Sequence, residues 1–376
     1  MPNLTVLIKP VSGSCNMNCS YCFYQDVANN RSQANMGILS DQLTELLINR
    51  AITFIGSSGI VNFAFQGGEP TLCGVDYFRK FTAYVKKAIA GTNCRVQYAL
   101  QTNGLLLDDD FCKFFADEKF LIGLSIDGPA DIHNASRMDT KSKQTFQRVI
   151  TAAHRLERYK ADYNILCVVT RLSVKHPDKL FNFFVKNKFS YVQLIPCIED
   201  FNAQGAQHSP DPIAYGNFLC RMYELWLQAW EQGAPLSIRE FDNLMGMLLF
   251  HQEPELCSMS GKCGIHAIIE ADGSVYPCDF FVLDEWKLGN ICDKEFGELF
   301  SGHLEQTFIE QSKDISDVCK QCNLFVWCRG GCRRHRESAG DSIFKWCESQ
   351  KILLPYILRS RDRLSLAVRK ATAKRT

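Results

Sequence analysis

Three cysteines lie close together near the start of the chain, in the segment SCNMNCSYCFY. Cys15, Cys19 and Cys22 have the spacing C-x3-C-x2-C. A structural zinc site usually has four protein ligands, and a disulfide framework needs an even number of cysteines. Three thiolates suit a four-iron cluster in which one iron keeps an open position. S-adenosylmethionine (SAM) carries the amine and the carboxylate that could fill that position, and one electron could then break its sulfonium to a 5′-deoxyadenosyl radical.

A partial zinc site or three unrelated thiols remain alternatives for this loop. A second motif, in FAFQGGEPTL, favours the cluster. The two motifs together resemble the radical SAM superfamily. This resemblance implies that the segment Gly67, Gly68, Glu69 and Pro70 holds the amino group of SAM. Further residues are expected beside the cofactor on the same basis: Tyr24, Gln66, Ser125, Arg137 and Ile195.

Nine more cysteines follow from Cys257 onward, and part of them has the regular spacing C-x2-C-x5-C-x3-C. Such regularity is not expected of ordinary core thiols, and zinc is an alternative because zinc ribbons also use C-x2-C pairs. The whole pattern resembles the SPASM extension of radical SAM peptide-modifying enzymes. That extension carries two auxiliary [4Fe–4S] clusters, so the resemblance implies three such clusters in this chain.

The resemblance also implies which cysteines hold each auxiliary cluster. Auxiliary cluster I takes Cys257, Cys263, Cys278 and Cys332. Auxiliary cluster II takes Cys319, Cys322, Cys328 and Cys347. The other thiols fit no such pattern and are interpreted as buried or incidental; they are Cys73, Cys94, Cys112, Cys167, Cys197, Cys220 and Cys292.

The elements that must position these residues alternate between short apolar runs and amphipathic helical patterns. The predicted strands are LTVLIK, IVNFAFQ, VQYALQT, FLIGLSID, YNILCVVT and YVQLIPC. Their apolar character is typical of parallel strands covered by helices. We therefore predict an α/β fold, a partial (β/α)6 TIM-type barrel. In such a fold chemistry gathers at the C-terminal ends of the strands, where the cysteine loop, QGGEP, QTNG and SIDGP all fall.

The pattern changes at about residue 236, where a helical segment leads into the cysteine-dense region and a hairpin-like piece, HAIIEADGSVYPCDFF. We predict a radical SAM domain over residues 1–235 and a SPASM domain with a C-terminal helix over residues 236–376.

Composition and net charge argue against several classes of function. The chain has 376 residues, a formal net charge of +1 and 46% hydrophobic residues. This balance gives no reason to expect binding to nucleic acid or to an anionic membrane. No signal peptide and no 18-residue apolar run is visible, so a cytoplasmic protein is expected. The eighteen cysteines are then interpreted as metal ligands and buried thiols rather than disulfides, because the cytosol is reducing.

Over nearly its full length the sequence resembles the anaerobic sulfatase-maturating enzymes. The segments that carry this resemblance include LIKPVSGSCNMNCSYCFY, FLIGLSIDGPADIHNASR and DGSVYPCDFFVLDEWKLGN. The resemblance implies oxidation of a cysteine or serine in a Cys/Ser-x-Pro-x-Arg segment to Cα-formylglycine, by abstraction of a β-hydrogen. The expected partners are a nascent or unfolded sulfatase and a flavodoxin- or ferredoxin-type electron donor.

Asp279 directly follows Cys278 and resembles the proposed base of that family. From the residue alone, a loop aspartate that bonds backbone amides is the favoured interpretation. A rival function is a SPASM maturase that forms a crosslink in a ribosomally synthesised peptide, since it would share every cluster ligand. No peptide-recognition domain is evident ahead of the first strand, which favours the sulfatase interpretation. A non-catalytic electron carrier or zinc scaffold is the alternative from another class.

Overall fold

The structure is a computed structural model that describes residues 2–201, 207–337 and 343–373. Its strands are β1 (Asn3–Ile8), β2 (Met17–Cys19), β3 (Ile60–Phe65), β4 (Arg95–Thr102), β5 (Phe120–Ser125), β6 (Arg137–Asp139), β7 (Asp162–Val169), β8 (Tyr191–Pro196), β9 (Ser237–Ile238), β10 (Ala267–Ile269), β11 (Ser274–Tyr276) and β12 (Gly289–Asn290). The six predicted strands are β1, β3, β4, β5, β7 and β8, and the predicted hairpin is formed by β10 and β11.

The helices include the predicted amphipathic segments. They are α1 (Phe23–Asn29), α2 (Asp41–Ile55), α3 (Val75–Ala88), α4 (Asp109–Asp117), α5 (Ala130–Ser136), α6 (Phe146–Tyr159), α7 (Pro177–Lys186), α8 (Pro212–Glu231), α9 (Arg239–Phe250), α10 (Phe296–Leu299), α11 (His303–Ser312), α12 (Asp317–Lys320), α13 (Phe325–Cys328), α14 (Arg333–Glu337), α15 (Cys347–Arg359) and α16 (Arg361–Ala373). Among the described residues, no helix combines the length and the apolar character needed to cross a bilayer.

The chain divides into two compact units, each made of segments from different parts of the sequence. The first unit comprises Met1–Ser125, Ser136–Tyr163 and Gly264–Ile309. The second unit comprises Ile126–Ala135, Asn164–Cys263 and Glu310–Thr376. The predicted division between residues 235 and 236 stays a prediction.

In the first unit the hydrogen-bonded strands have the order β12-β11-β10-β1-β3-β4-β5. The neighbours from β10 through β1, β3 and β4 to β5 are parallel, and β11 is antiparallel to β10 and β12. Inward-facing aromatic side chains fill the core between this sheet and its helices, among them the fully buried Phe63, Phe65, Phe78 and Phe120. The parallel order places the residues that follow β1, β3, β4 and β5 at one edge of the sheet.

The second unit contains parallel strands β8 and β9, with the larger part of β7 beside β8. Helix α8 is its central helix and packs against α7, α15 and α16. Gly216 allows the close approach of α8 and α15, because a Cβ at this position would lie 2.9 Å from the Cα of Ser349. The parallel strands and the helices that alternate with them confirm the predicted α/β fold class.

Candidate active site at the strand ends of the first unit

The cysteine loop connects β1 to α1 and contains the short strand β2. Cys15, Cys19 and Cys22 are all half-buried. The backbone N–H of Met17 donates to Cys15 Sγ at 3.3 Å, and the N–H of Cys22 donates to the carbonyl of Cys19 at 3.1 Å. Burial raises the pKa of the Cys15 thiol to about 11, and the nearby charges of Glu69 and Cys22 act in the same direction. Such a thiol becomes an anion when a metal coordinates it, so the donor set fits an iron–sulfur cluster.

The QGGEP loop after β3 lies directly against the cysteine loop. The N–H of Gly68 donates to the carbonyl of Ser12 at 3.0 Å, and the N–H of Glu69 donates to that of Ser14 at 2.8 Å. Gly67 has φ +126°, which side chains rarely adopt. A Cβ on Gly68 would lie 1.9 Å from Ser14 O. The two glycines are therefore required by the contact between the two loops.

The carboxylate of Glu69 is buried and joins the ends of β3 and β4. Its Oε1 accepts hydrogen bonds from Thr71 N at 3.1 Å, Thr71 Oγ1 at 2.6 Å and Thr102 Oγ1 at 2.7 Å. Its Oε2 accepts from Asn103 N at 2.7 Å. Burial raises the pKa of Glu69, and these hydrogen bonds oppose the rise. The side chain of Glu69 thus fixes the QGGEP and QTNG loops, and its predicted contact with SAM stays a prediction.

The other predicted SAM-binding residues are placed as follows. Arg137 pairs with Cys19 across β6 and β2, directs Nη1 to Cys19 Sγ at 3.9 Å and lies over the ring of Tyr21 at 5.4 Å. Ser125 is the half-buried last residue of β5. Ile195 is half-buried on β8 of the second unit. Their predicted contacts with SAM stay predictions.

Asp279, the predicted base, is held by side chains from three segments of the first unit. Tyr24 Oη donates to Asp279 Oδ2 at 2.5 Å, and Gln66 Nε2 donates to the same oxygen at 3.0 Å and also to Tyr24 Oη. The ammonium of Lys9 lies 3.2 Å from Asp279 Oδ1. Burial raises the pKa of Tyr24 well above its ordinary value, and the negative charge of Asp279 adds to the rise. Tyr24 and Gln66 were predicted for the cofactor, and the structure brings their polar groups to Asp279.

Sequence reasoning missed the charged residues beside Asp279. Lys9 is 3% exposed and also lies 3.9 Å from Glu270 Oε1, while Arg31 Nη1 donates to that oxygen at 2.6 Å. The ammonium of Lys9 is 4.7 Å from the ring centre of Tyr24. The signal in the sequence was a lysine and a glutamate that each end an apolar strand, in LIK and IIE.

The predicted cluster thiols of the second unit divide into two groups by their electrostatic influence on one another. Cys257 is exposed at the surface, and desolvation by its neighbours, with a contribution from the thiols of Cys332 and Cys263, raises its pKa. Burial likewise raises the pKa of Cys328, with contributions from Cys319, Cys347 and Cys322. Cys278 belongs to the first unit. Three and four thiols close to one another fit cluster ligands by donor type, and their assignment to auxiliary clusters stays a prediction.

The thiols without a predicted role differ in exposure. Cys112, Cys167 and Cys197 are buried, Cys73, Cys94 and Cys220 are half-buried, and Cys292 is exposed. Within the described ranges, no three His, Cys, Asp or Glu side chains stand close enough together to hold a single metal ion.

Two family models match the chain. The radical SAM superfamily matches residues 10–184, and the iron–sulfur cluster-binding domain SPASM matches residues 257–323. Both imply iron–sulfur clusters, and the first implies SAM. The fold and the site thus define a radical SAM protein with a SPASM region.

Similar proteins show to which family of radical SAM proteins the chain belongs. The cysteine-type anaerobic sulfatase-maturating enzyme of Clostridium novyi is 43% identical over 93% of this chain and 94% of its own length. The serine-type enzyme of Bacteroides thetaiotaomicron is 30% identical over 89% and 84%. A solved structure of native anSMEcpe with bound AdoMet and Cp18Cys peptide is 38% identical, has a TM-score of 0.90 and matches over 98% and 99%. The chain belongs to the anaerobic sulfatase-maturating enzymes, and its predicted class as a radical SAM oxidoreductase is confirmed.

Proposed function

We propose that this enzyme oxidises the cysteine of a sulfatase Cys-x-Pro-x-Arg segment to Cα-formylglycine, with Asp279 as the base. The observation that carries the proposal is the placement of Asp279: its carboxylate is anchored by Tyr24 and Gln66, which belong to the motif segments SCNMNCSYCFY and FAFQGGEPTL. The choice of cysteine over serine is supported by the greater identity to the cysteine-type relatives.

The proposed cofactors are three [4Fe–4S] clusters and SAM. Cys15, Cys19 and Cys22 would hold the cluster that binds SAM, and the eight SPASM cysteines would hold auxiliary clusters I and II as assigned above. When bound, these groups supply the radical that takes a hydrogen atom from the substrate β-carbon and an acceptor for the remaining electron.

The residues of the chain have three tasks in this reaction. Asp279 takes the proton of the substrate thiol. Loss of this proton, of one hydrogen atom from the β-carbon and of one electron converts the cysteine to a thioaldehyde. Tyr24 and Gln66 keep Asp279 Oδ2 in place through hydrogen bonds. Glu69 and the paired glycines keep the loops that carry these groups together. Water then replaces the sulfur of the thioaldehyde, which releases hydrogen sulfide and leaves the aldehyde.

The proposed partners are an unfolded or nascent sulfatase and a small flavodoxin- or ferredoxin-type donor that supplies electrons, in the cytoplasm. Solved relatives support a peptide substrate, because anSMEcpe binds the Cp18Cys peptide. An unfolded segment is the suitable form, since a target side chain within a folded core would not reach a recessed base.

The test is anaerobic turnover of the reconstituted protein with a reductant, SAM and three matched peptides. These carry Cys-x-Pro-x-Arg, Ser-x-Pro-x-Arg or Ala-x-Pro-x-Arg in the same flanking sequence. We expect an aldehyde in the cysteine peptide, identified by mass spectrometry and by hydrazide capture, a slower reaction of the serine peptide and no product from the alanine peptide. Cleavage of SAM without an aldehyde in either reactive peptide, or a crosslinked peptide in its place, would refute the proposal.

A further inference from the structure

We propose that Lys9 is a positioning residue for the reaction: its buried ammonium holds the second carboxylate oxygen of Asp279. The ammonium itself is held by Glu270, which is paired with Arg31. The inference rests on the proposed function, because it assigns Lys9 a role through Asp279. It is carried by the contacts around Lys9, which join two strand ends, the loop after α1 and the segment that contains Asp279.

Strand register brings Lys9 and Glu270 together. Lys9 directly follows β1, Glu270 directly follows β10, and these parallel strands pair Ile8 with Ile269. The N–H of Lys9 continues the ladder by donating to the carbonyl of Ile269 at 2.8 Å. Both side chains therefore begin at the same end of neighbouring strands, where Lys9 Nζ lies between a carboxylate oxygen of Glu270 at 3.9 Å and one of Asp279 at 3.2 Å.

The contacts of Glu270 do not depend on Lys9. Arg31 Nη1 donates to Glu270 Oε1 at 2.6 Å, and Arg31 Nη2 donates to the carbonyl of Ala34 at 2.8 Å and to Ser12 Oγ at 3.2 Å. Arg31 and Glu270 thus form a buried pair that is complete without a second cation. Removing one partner of a buried pair is harmful when it leaves a charge uncompensated, and here the removal of Lys9 leaves Glu270 paired.

Asp279, in contrast, has different partners at its two oxygens. Oδ2 accepts from Tyr24 and Gln66. Oδ1 is buried, accepts no hydrogen bond within the described part of the chain, and faces the ammonium of Lys9. Desolvating an ammonium is unfavourable, so a lysine that is 3% exposed needs negatively charged partners. Its contact with Oδ1 supplies one.

The consequence for the reaction is geometric. The torsion between Cβ and the carboxylate of an aspartate is broad, so donors at one oxygen alone leave the group free to rotate. Lys9 at Oδ1 and the two donors at Oδ2 hold the carboxylate at both ends. Because a misplacement of about 1 Å can lower a rate 10²-fold, loss of Lys9 should impair proton removal even though Asp279 is still present.

The experiment compares Lys9→Met, Lys9→Arg, Asp279→Asn and the double variant Lys9→Met/Asp279→Asn, all reconstituted anaerobically. Formylglycine and 5′-deoxyadenosine are measured in the same sample, with iron content and the KM for the cysteine peptide. We expect Lys9→Met to make formylglycine about 10–100-fold more slowly, with its iron content, its KM and its SAM cleavage close to wild type. Lys9→Arg should recover a large part of the ratio of formylglycine to 5′-deoxyadenosine because it keeps the positive charge.

The double variant separates action through Asp279 from a general structural effect. If Lys9 acts through Asp279, adding Lys9→Met to Asp279→Asn changes the ratio by less than about twofold, since effects of residues that act as a unit are not additive. The control is Lys86→Met, which removes a lysine from an exposed pair with Glu118 and should leave the ratio unchanged. If Lys9→Met does not retain iron, Lys9→Gln serves in its place.

Two results would overturn the inference. One is a fully iron-loaded Lys9→Met or Lys9→Gln variant with the wild-type ratio, and the other is a double variant far worse than Asp279→Asn alone. Failure of the proposed function has a different signature, because the wild-type enzyme itself would then make no formylglycine.

Discussion

Gly68 lies in the loop predicted to hold SAM, and its replacement by alanine should displace the cysteine loop without changing any of the predicted iron ligands. The added Cβ would lie 1.9 Å from the carbonyl oxygen of Ser14, and real Cβ atoms essentially never approach closer than 3.0 Å. The neighbour is backbone, so it cannot rotate away as the end of a side chain could. The two loops must therefore separate by about 1.1 Å or more along this contact.

The separation stretches the two hydrogen bonds that join the loops, from Gly68 N to the carbonyl of Ser12 and from Glu69 N to that of Ser14. Overpacking typically destabilises by 1–3 kcal/mol, and each lost hydrogen bond adds roughly 0.5–1.5 kcal/mol, so we expect a loss of about 2–6 kcal/mol. Ser14 precedes Cys15, so the same movement shifts a predicted ligand, and SAM cleavage should fall by about 10²-fold.

The assay is a set of three anaerobic measurements: iron and sulfide content, the urea concentration at the unfolding midpoint, and the rate of 5′-deoxyadenosine formation. Gly13→Ala is the matched control, because it adds the same atom to the neighbouring cysteine loop, where its nearest neighbour is Ala34 O at 3.7 Å. A Gly68→Ala enzyme with the iron content, unfolding midpoint and SAM cleavage rate of the wild type would refute the reasoning.

Three other predictions concern the base, the clusters and the half-buried Glu240. Asp279→Asn should lower formylglycine formation by about 10²–10⁴-fold while 5′-deoxyadenosine is still made, with iron content as the control; formylglycine at the wild-type rate would place the base elsewhere. Reconstituted protein should contain about twelve irons per chain, and replacing Cys15, Cys19 and Cys22 by alanine should remove about four of them, whereas zinc in the SPASM region would contradict the assignment. Desolvation raises the pKa of Glu240 from its ordinary value of 4.5 to about 7 in the folded protein. Between these two pH values the folded state keeps a proton that the unfolded state has released. Wild-type stability should therefore fall relative to Glu240→Gln as pH rises from 4.5 to 7, by up to roughly 3 kcal/mol in urea titrations, and a constant difference would contradict the shift.

The strands, the amphipathic helices and the motif loops could be predicted because their signals are local. The run IVNFAFQ predicts β3 from its own apolar residues, and QGGEP must follow it at the strand end. The segment VDYFRKFTAYVKKAIA predicts α3 through the spacing of its apolar residues. The order of the parallel strands then places the cysteine loop and QGGEP at one edge of the sheet. The strand and helix patterns need no contact between distant parts of the chain, whereas the strand order rests on pairings such as that of β1 with β3.

The network around Asp279 could not be predicted, because its contacts join residues far apart in the sequence. Tyr24 and Asp279 are 255 residues apart, and Arg31 and Glu270 are 239 apart. Both contacts depend on the parallel pairing of β10 with β1, which the hairpin pattern in HAIIEADGSVYPCDFF does not reveal. The resemblance also implied a cofactor role for the segment that contains Glu69, and only the structure shows the hydrogen bonds of this side chain to Thr71, Thr102 and Asn103.

The position of Lys9 allows a distinction that variants of Asp279 alone do not provide. Asp279 adjoins Cys278, so any change there can act on the predicted ligand as well as on proton removal. Lys9 reaches Asp279 from β1, and its removal leaves the hydrogen bonds of Tyr24 and Gln66 to Oδ2 intact. If Asp279 only holds the Cys278 segment in place, those two hydrogen bonds suffice, and Lys9→Met should not alter the ratio of formylglycine to 5′-deoxyadenosine. If Asp279 removes the substrate proton, its orientation matters, and the ratio should fall in Lys9→Met and in Asp279→Asn alike.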